Sequence, residues 1–112
     1  MVQLRSRLAY ERLNNSVTKG NLWLYILTEL EAREASPPEL RERVREKYGV
    51  NAASITFYTV IYRLKKEGLV RKSSDRFRSA YEVTAKGLGE LERARKLISE
   101  VAEWVGQPSK EP

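Results

Sequence analysis

The sequence predicts a mainly α-helical chain with one small β-hairpin and a long C-terminal helix. Three observations lead there. Residues 36–68 read as a short helix, a tight turn at Gly49 and a second helix with a polar, basic and aromatic outer face. Two short β-forming runs, Leu69-Val70-Arg71-Lys72 and Ala80-Tyr81-Glu82-Val83, flank a turn-like Ser73-Ser74-Asp75. Leu91, Ala94, Ile98, Val101 and Val105 recur at intervals of three and four, the seam of a helix that packs along another helix.

Each element has a local cause. Residues 2–14 have Leu4, Leu8 and Leu13 at near-helical spacing, and Asn14-Asn15-Ser16 predicts a break after them. Two uses are open for this segment, packing on a partner subunit or serving as a basic arm. Over residues 21–33, Leu22, Ile26 and Leu30 repeat every four, and Trp23 and Leu27 widen the stripe to that of a core helix. Ser36-Pro37-Pro38-Glu39 predicts a helix start, with Ser36 as cap, Pro37 in the first turn and Glu39 closing a capping box. That helix runs to about Tyr48 and stops at Gly49. Asn51 or Ser54 is expected to cap the next helix, which ends at Gly68. Its apolar positions, Phe57, Ile61 and Leu64, fall within about 60° of one another around the axis. The other side then displays Ile55, Thr56, Thr59, Tyr62, Arg63 and Lys66, with Tyr58 on the flank. Thr84 is expected to cap the last helix, which Gly106 stops.

Composition bounds what such a chain does. At 112 residues it is expected to form one domain. No apolar run reaches the roughly 18–20 residues needed to span a bilayer, so no membrane partner is expected. Arg5, Arg7, Glu11 and Arg12 interrupt the N-terminal stretch where a signal peptide needs apolar residues, which predicts a cytoplasmic protein. There is no cysteine and no histidine, which removes disulfides, zinc-finger ligands and thiol or histidine catalysis. We expect neither an enzyme nor a bound cofactor or metal.

The net charge of +6 is unevenly placed. Residues 1–20 hold net +3 and residues 61–80 net +5, while residues 21–60 and 81–112 each hold −1. Clustered excess of this kind is the footprint of a polyanionic partner. A helix-turn-helix whose outer face is basic, followed at once by a hairpin with Arg76, Phe77 and Arg78 at its tip, reads as a winged helix-turn-helix. The expected organisation is an N-terminal helix or arm over 1–20, the winged domain over 21–84, a dimerisation helix over 85–105 and a disordered tail over 106–112. The last helix is longer than a small winged domain needs, which favours a subunit interface through Leu91, Ala94, Ile98, Val101, Trp104 and Val105.

Thr56-Phe57-Tyr58, then Ile61, Arg63-Leu64 and Glu67-Gly68-Leu69-Val70, resembles the core of PadR-like winged helix-turn-helix transcriptional regulators. Arg78-x-x-Tyr81-x-Val83-Thr84-x-x-Gly87 resembles that family's second wing strand and the start of its dimerisation helix. The resemblance covers about residues 20 to 105. It departs where Ser36-Pro37-Pro38-Glu39-Leu40 replaces a Gly-Tyr-Glu-Leu type segment, and in a short wing. It implies a homodimeric regulator, and by analogy it leaves two uses open for Trp23, Leu97 and Trp104: interface core, which is favoured, or the lining of a site for a small aromatic effector.

On this reading the partner is double-stranded DNA. Ser54, Ile55, Thr56 and Thr59 are expected at base edges, and Tyr62, Arg63 and Lys66 at phosphates. Arg71, Lys72, Arg76 and Arg78 are expected to carry the wing contact. Repression by blocking polymerase is the simplest output. Two alternatives stay open: an architectural DNA binder without sequence preference, and a winged-helix module that binds protein.

Overall fold

The structure, a computed structural model, describes the backbone of residues 2–74 and 79–107 and the side chains of residues 8–74 and 79–107. Leu4, the wing-tip residues Arg76, Phe77 and Arg78, and most of the expected tail lie outside what is described. The helices are α1 (Val2–Val17), α2 (Leu22–Ala32), α3 (Pro37–Tyr48), α4 (Ser54–Lys66) and α5 (Ala85–Gly106). Strands β1 (Val70–Lys72) and β2 (Tyr81–Val83) pair antiparallel, with Val70 opposite Val83 and Lys72 opposite Tyr81.

Helix α2 is the centre of the domain, touching α3, α4, α5 and β2. Its Leu22, Ile26, Leu27 and Leu30 are fully buried, as the four-residue repeat requires. They pack with Leu40 and Val44 of α3, Phe57, Ile61 and Leu64 of α4, and Leu91 of α5. Trp23 packs at the edge of this cluster. Leu91, expected at a subunit interface, is instead 1% exposed inside the protomer's own core. The a/d seam is shared: Leu91 is buried, Ala94 is half-buried, and Ile98, Val101 and Val105 are exposed.

The caps of α3 form as read. Ser36 Oγ accepts from the Glu39 N–H, and the Glu39 carboxylate accepts from the Ser36 N–H at 2.9 Å. Gly49 ends the helix at φ 71°, a left-handed conformation that favours glycine. The turn to α4 is held by Arg41, whose Nε donates to the Ala52 carbonyl at 2.9 Å.

Two local expectations fail. Asn14-Asn15-Ser16 does not break α1, which continues to Val17. Such residues disfavour a helix interior only slightly, and the stop comes from the next four residues. Thr18 Oγ1 donates to the Asn14 carbonyl at 2.6 Å, and a 3-10 turn over Lys19–Asn21 follows. Neither Asn51 nor Ser54 caps α4. Ala53 stands at that position without a side-chain bond. A third finding was not legible locally: Ala35 exchanges backbone hydrogen bonds with Tyr81, extending the hairpin by one isolated bridge.

The hairpin is joined to α5 with little free space. Thr84 Oγ1 donates to the Gly68 carbonyl at 2.6 Å and accepts from the Gly87 N–H at 3.0 Å, capping α5. A Cβ on Gly87 would collide with the Leu69 carbonyl oxygen. Gly87→Ala is therefore expected to cost about 1–3 kcal/mol and lower Tm by about 5–15 °C in thermal melts.

A buried polar group ties α2 to α3. Glu29 accepts from Tyr48 Oη at 2.5 Å and from Lys47 Nζ at 3.1 Å. Burial pushes the Glu29 carboxyl up, but the bonds from Tyr48 and Lys47 outweigh it and leave the group below its usual 4.5. Burial and the same carboxylate push Tyr48 up to about 12. Folded Glu29 binds its proton less tightly than unfolded, so its contribution is full above 4.5 and fades as pH falls through its lowered value. Folded Tyr48 binds its proton more tightly, so its contribution is full below 10.0 and fades as pH rises through about 12. Thermal melts of Glu29→Gln between about pH 3 and 7 are expected to show a flatter acid limb than the parent chain.

Candidate nucleic-acid interface

The burial of Phe57, Ile61 and Leu64 fixes how α4 is turned. At about 100° per residue, the direction opposite that stripe belongs to Ile55, Thr59, Tyr62 and Lys66. These four make an outward ridge with spacing four, three, four, and Ile55 is 77% exposed. The ridge is mostly uncharged. Thr59 Oγ1 donates to the Ile55 carbonyl at 2.8 Å, which leaves its oxygen lone pairs and its methyl free for an outside partner. Lys66 Nζ lies 5.6 Å from the centre of the Tyr62 ring.

The two sides of the ridge differ. On one side Tyr58, Tyr62 and Lys65 face Lys72, Ser79 and Tyr81 of the hairpin across a cleft of about 310 Å³. On the other side Arg63 lines a hollow of about 370 Å³ with Lys19, Trp23 and Val60, rimmed by Glu67 and Glu90. By its position around the helix Thr56 belongs to the Arg63 side, and Ser54 to the hairpin side. The structure thus brings the expected Tyr62 and Lys72 together and sets Arg63 apart from them. Tyr58 and Lys65 join the hairpin group. Their membership depends on where the hairpin folds back, which helical periodicity cannot show.

Charge pairing sharpens this picture. Arg43, Arg45, Lys47, Arg93 and Arg95 each sit within 4 Å of a carboxylate. Arg71, expected to contact a partner, is held by Glu82 across the hairpin at 2.8 Å. Among the described residues, no acid pairs with Arg63, Lys65, Lys66 or Lys72. The first turn of α4 also has no acidic residue and no side-chain cap, so its positive dipole end is uncompensated. A ridge whose single charge is Lys66 thus has Lys65 and Lys72 on one side and Arg63, near Glu67 and Glu90, on the other; such a ridge suits a major groove, where base edges lie between two phosphate strands.

The three side chains expected around an effector do not form one site. Trp23 and Leu97 share an apolar cavity of about 310 Å³ with Val17, Leu24, Ala94 and Ile98, and Trp104 is not among its lining residues. No helix among the described residues is long and apolar enough to cross a membrane.

No protein-family profile matches the chain, and no curated protein matches it in sequence. Solved structures do match. A transcriptional regulator from Clostridium thermocellum superposes with TM-score 0.69 at 18% identity, covering 79% of this chain and 89% of that one. A PadR family transcriptional regulator from Eggerthella lenta gives TM-score 0.67 at 21% identity, over 88% of this chain and 94% of that one. A winged-helix DNA-binding protein, F93 from STIV, gives 0.64 at 14% identity, over 75% and 92% of the two chains. The chain has the winged-helix fold, with the helix-turn-helix formed by α3 and α4 and the wing by β1 and β2.

Proposed function

We propose that the chain is a DNA-binding transcriptional regulator of the PadR-like type, acting as a homodimeric repressor. The observation that carries this reading is the mostly uncharged ridge of α4, with Lys65 and Lys72 on one side and Arg63 on the other, none of them paired with an acid among the described residues. The fold it shares with regulators supports it. Helix α4 lies in the major groove, with Ile55 and Thr59 against base edges and Ser54 and Thr56 toward the two groove walls. One phosphate strand meets Tyr58, Lys65 and Lys72, and the other meets Arg63 and Lys19. Tyr62 and Lys66 lie between them at the far end of the ridge. Arg71 gives the wing less than its exposure suggests, because Glu82 already holds it. Arg76 and Arg78 extend the contact at the wing tip.

The dimer forms through the outer half of α5, where Ile98, Val101, Trp104 and Val105 are exposed, with Ala94 at its edge. A two-fold dimer reads an inverted repeat with half-sites about one helical turn apart, or a multiple of it. Occupying such a site blocks polymerase.

The reading is tested first by selecting duplexes from a random-sequence library at about physiological salt, where nonspecific binding is weak. An enriched palindrome is the expected result. Retained salt-sensitive binding with no enriched motif would replace it with the architectural reading, and loss of all binding with a protein-interaction module. On the selected site, Ile55→Ala or Thr59→Ala is expected to cost about 1–3 kcal/mol and relax preference at one position. Lys65→Glu with Lys72→Glu is expected to weaken binding to every duplex. With about six phosphates neutralised the slope of log K against log salt is near −5, and removing one such cation flattens it by about 0.9.

A further inference from the structure

Side chains of both charge signs line the hollow beside Arg63. Lys19 comes from the turn after α1, Arg63 from α4, Glu67 from the residue that ends α4, and Glu90 from α5. The rest of the lining is apolar. Leu22, Leu64 and Leu69 are buried there, and Trp23 and Val60 are half-buried. Trp23 Nε1 donates to Asn21 Oδ1 at 3.2 Å, which holds the indole in place. The volume of about 370 Å³ lies at the lower end of the roughly 300–1,000 Å³ of small-ligand sites.

Most of these charges do not answer one another. Glu90 is shared with Arg93 at 3.0 Å. Among the described residues, no ion pair holds Lys19, Arg63 or Glu67. Arg63 and Glu67 stand one helical turn apart, but with the base before the acid, which is the weaker order for such a pair. The pairs that do form along α3 and α5 at this spacing, Glu39 with Arg43, Glu42 with Arg45, Glu90 with Arg93 and Glu92 with Arg95, all put the acid first. The hollow therefore keeps charges of both signs available beside an apolar surface.

That pattern selects the ligand. A plain anion would meet Glu67 and Glu90, and a plain cation would meet Lys19 and Arg63. A neutral apolar molecule would displace water from these charges and give nothing back. A molecule with one charge of each sign and an apolar body answers every part. Side chains one turn apart on a helix start roughly 5–6 Å from each other at Cβ, within reach of two charges borne by one carbon. We propose that the hollow binds a free α-amino acid with a large apolar side chain. Its carboxylate meets Arg63, whose planar fork suits it, and Lys19. Its ammonium meets Glu67, with Glu90 behind, and its side chain lies on Trp23 and Val60. The consequence for regulation rests on the regulator reading above, where Arg63 and Lys19 meet one phosphate strand. A bound amino acid occupies both cations, so ligand and DNA oppose each other, and by linkage each weakens the other by the same factor.

Titration calorimetry on the full chain without DNA tests the site by itself. The probes are L-phenylalanine and L-leucine, each with its N-acetyl derivative, which lacks the ammonium, and its amide, which lacks the carboxylate. At least one of the two amino acids is expected to bind once per protomer, with both of its derivatives at least about tenfold weaker. Glu67→Gln, at an exposed position, is expected to weaken the free amino acid by about tenfold and its N-acetyl derivative not at all. No binding of either amino acid at about 10 mM would overturn the site. Equal affinity for the derivatives, or no effect of Glu67→Gln, would overturn it as well. On the duplex selected as above, a saturating amino acid is expected to weaken the complex by about 5–150-fold. Glu67→Gln is expected to remove that effect without lowering DNA affinity in its absence. An amino acid that binds and leaves DNA affinity unchanged would overturn the opposition between the two. An amino acid that binds to a chain with no affinity for any duplex would overturn the regulator reading and leave the site standing.

Discussion

Everything the α4 surface presents depends on three side chains pointing the other way. An isolated helix of 13 residues is marginal in water. Phe57, Ile61 and Leu64 hold it by entering the cluster built on α2, and each such burial is worth about 1.5–3 kcal/mol. Because they occupy one narrow arc, they also fix the rotation of the helix about its axis. Ile55, Thr59, Tyr62 and Lys66 face outward as a result. Their own contacts, Thr59 to the Ile55 carbonyl and Lys66 to the Tyr62 ring, stay within the ridge.

The parts around this helix hold its two ends. At its start, Gly49 in the left-handed region and the Arg41 bond to Ala52 set the angle between α3 and α4. At its end, Gly68 at φ 78° reverses the chain into β1, and Thr84 fastens that reversal to the start of α5. The close fit of Gly87 beneath Leu69 then sets where α5 leaves the body. The direction of the outer half of α5 follows from the same few backbone contacts. Glu29, Tyr48 and Lys47 brace α2 against α3.

What could be read from the sequence was what local chemistry decides. Ser36 with Glu39, Gly49, Gly68 and Thr84 each act within a few residues of themselves, and the structure has them as read. The core stripes of α2 and α4 were legible because periodicity alone separates inside from outside. The misreadings share a cause in the surroundings. Asn14-Asn15-Ser16 looked like a break, but weak preferences gave way to the turn at Thr18. Leu91 looked like interface because a seam does not say which member meets which neighbour. The ion pair of Arg71 could not be read at all, because Glu82 is eleven residues away and arrives only when the hairpin closes. For the same reason Lys65 and Tyr58 gained their place beside Lys72 only in three dimensions.

The outward ridge of α4 has a further consequence, for how such a protein changes over generations. Its four side chains lie outside the core cluster, while Phe57, Ile61 and Leu64 belong to it. Substitutions on the ridge are surface substitutions, which usually alter stability by less than about 0.5 kcal/mol. Mutation can therefore explore new ridges on an unaltered scaffold.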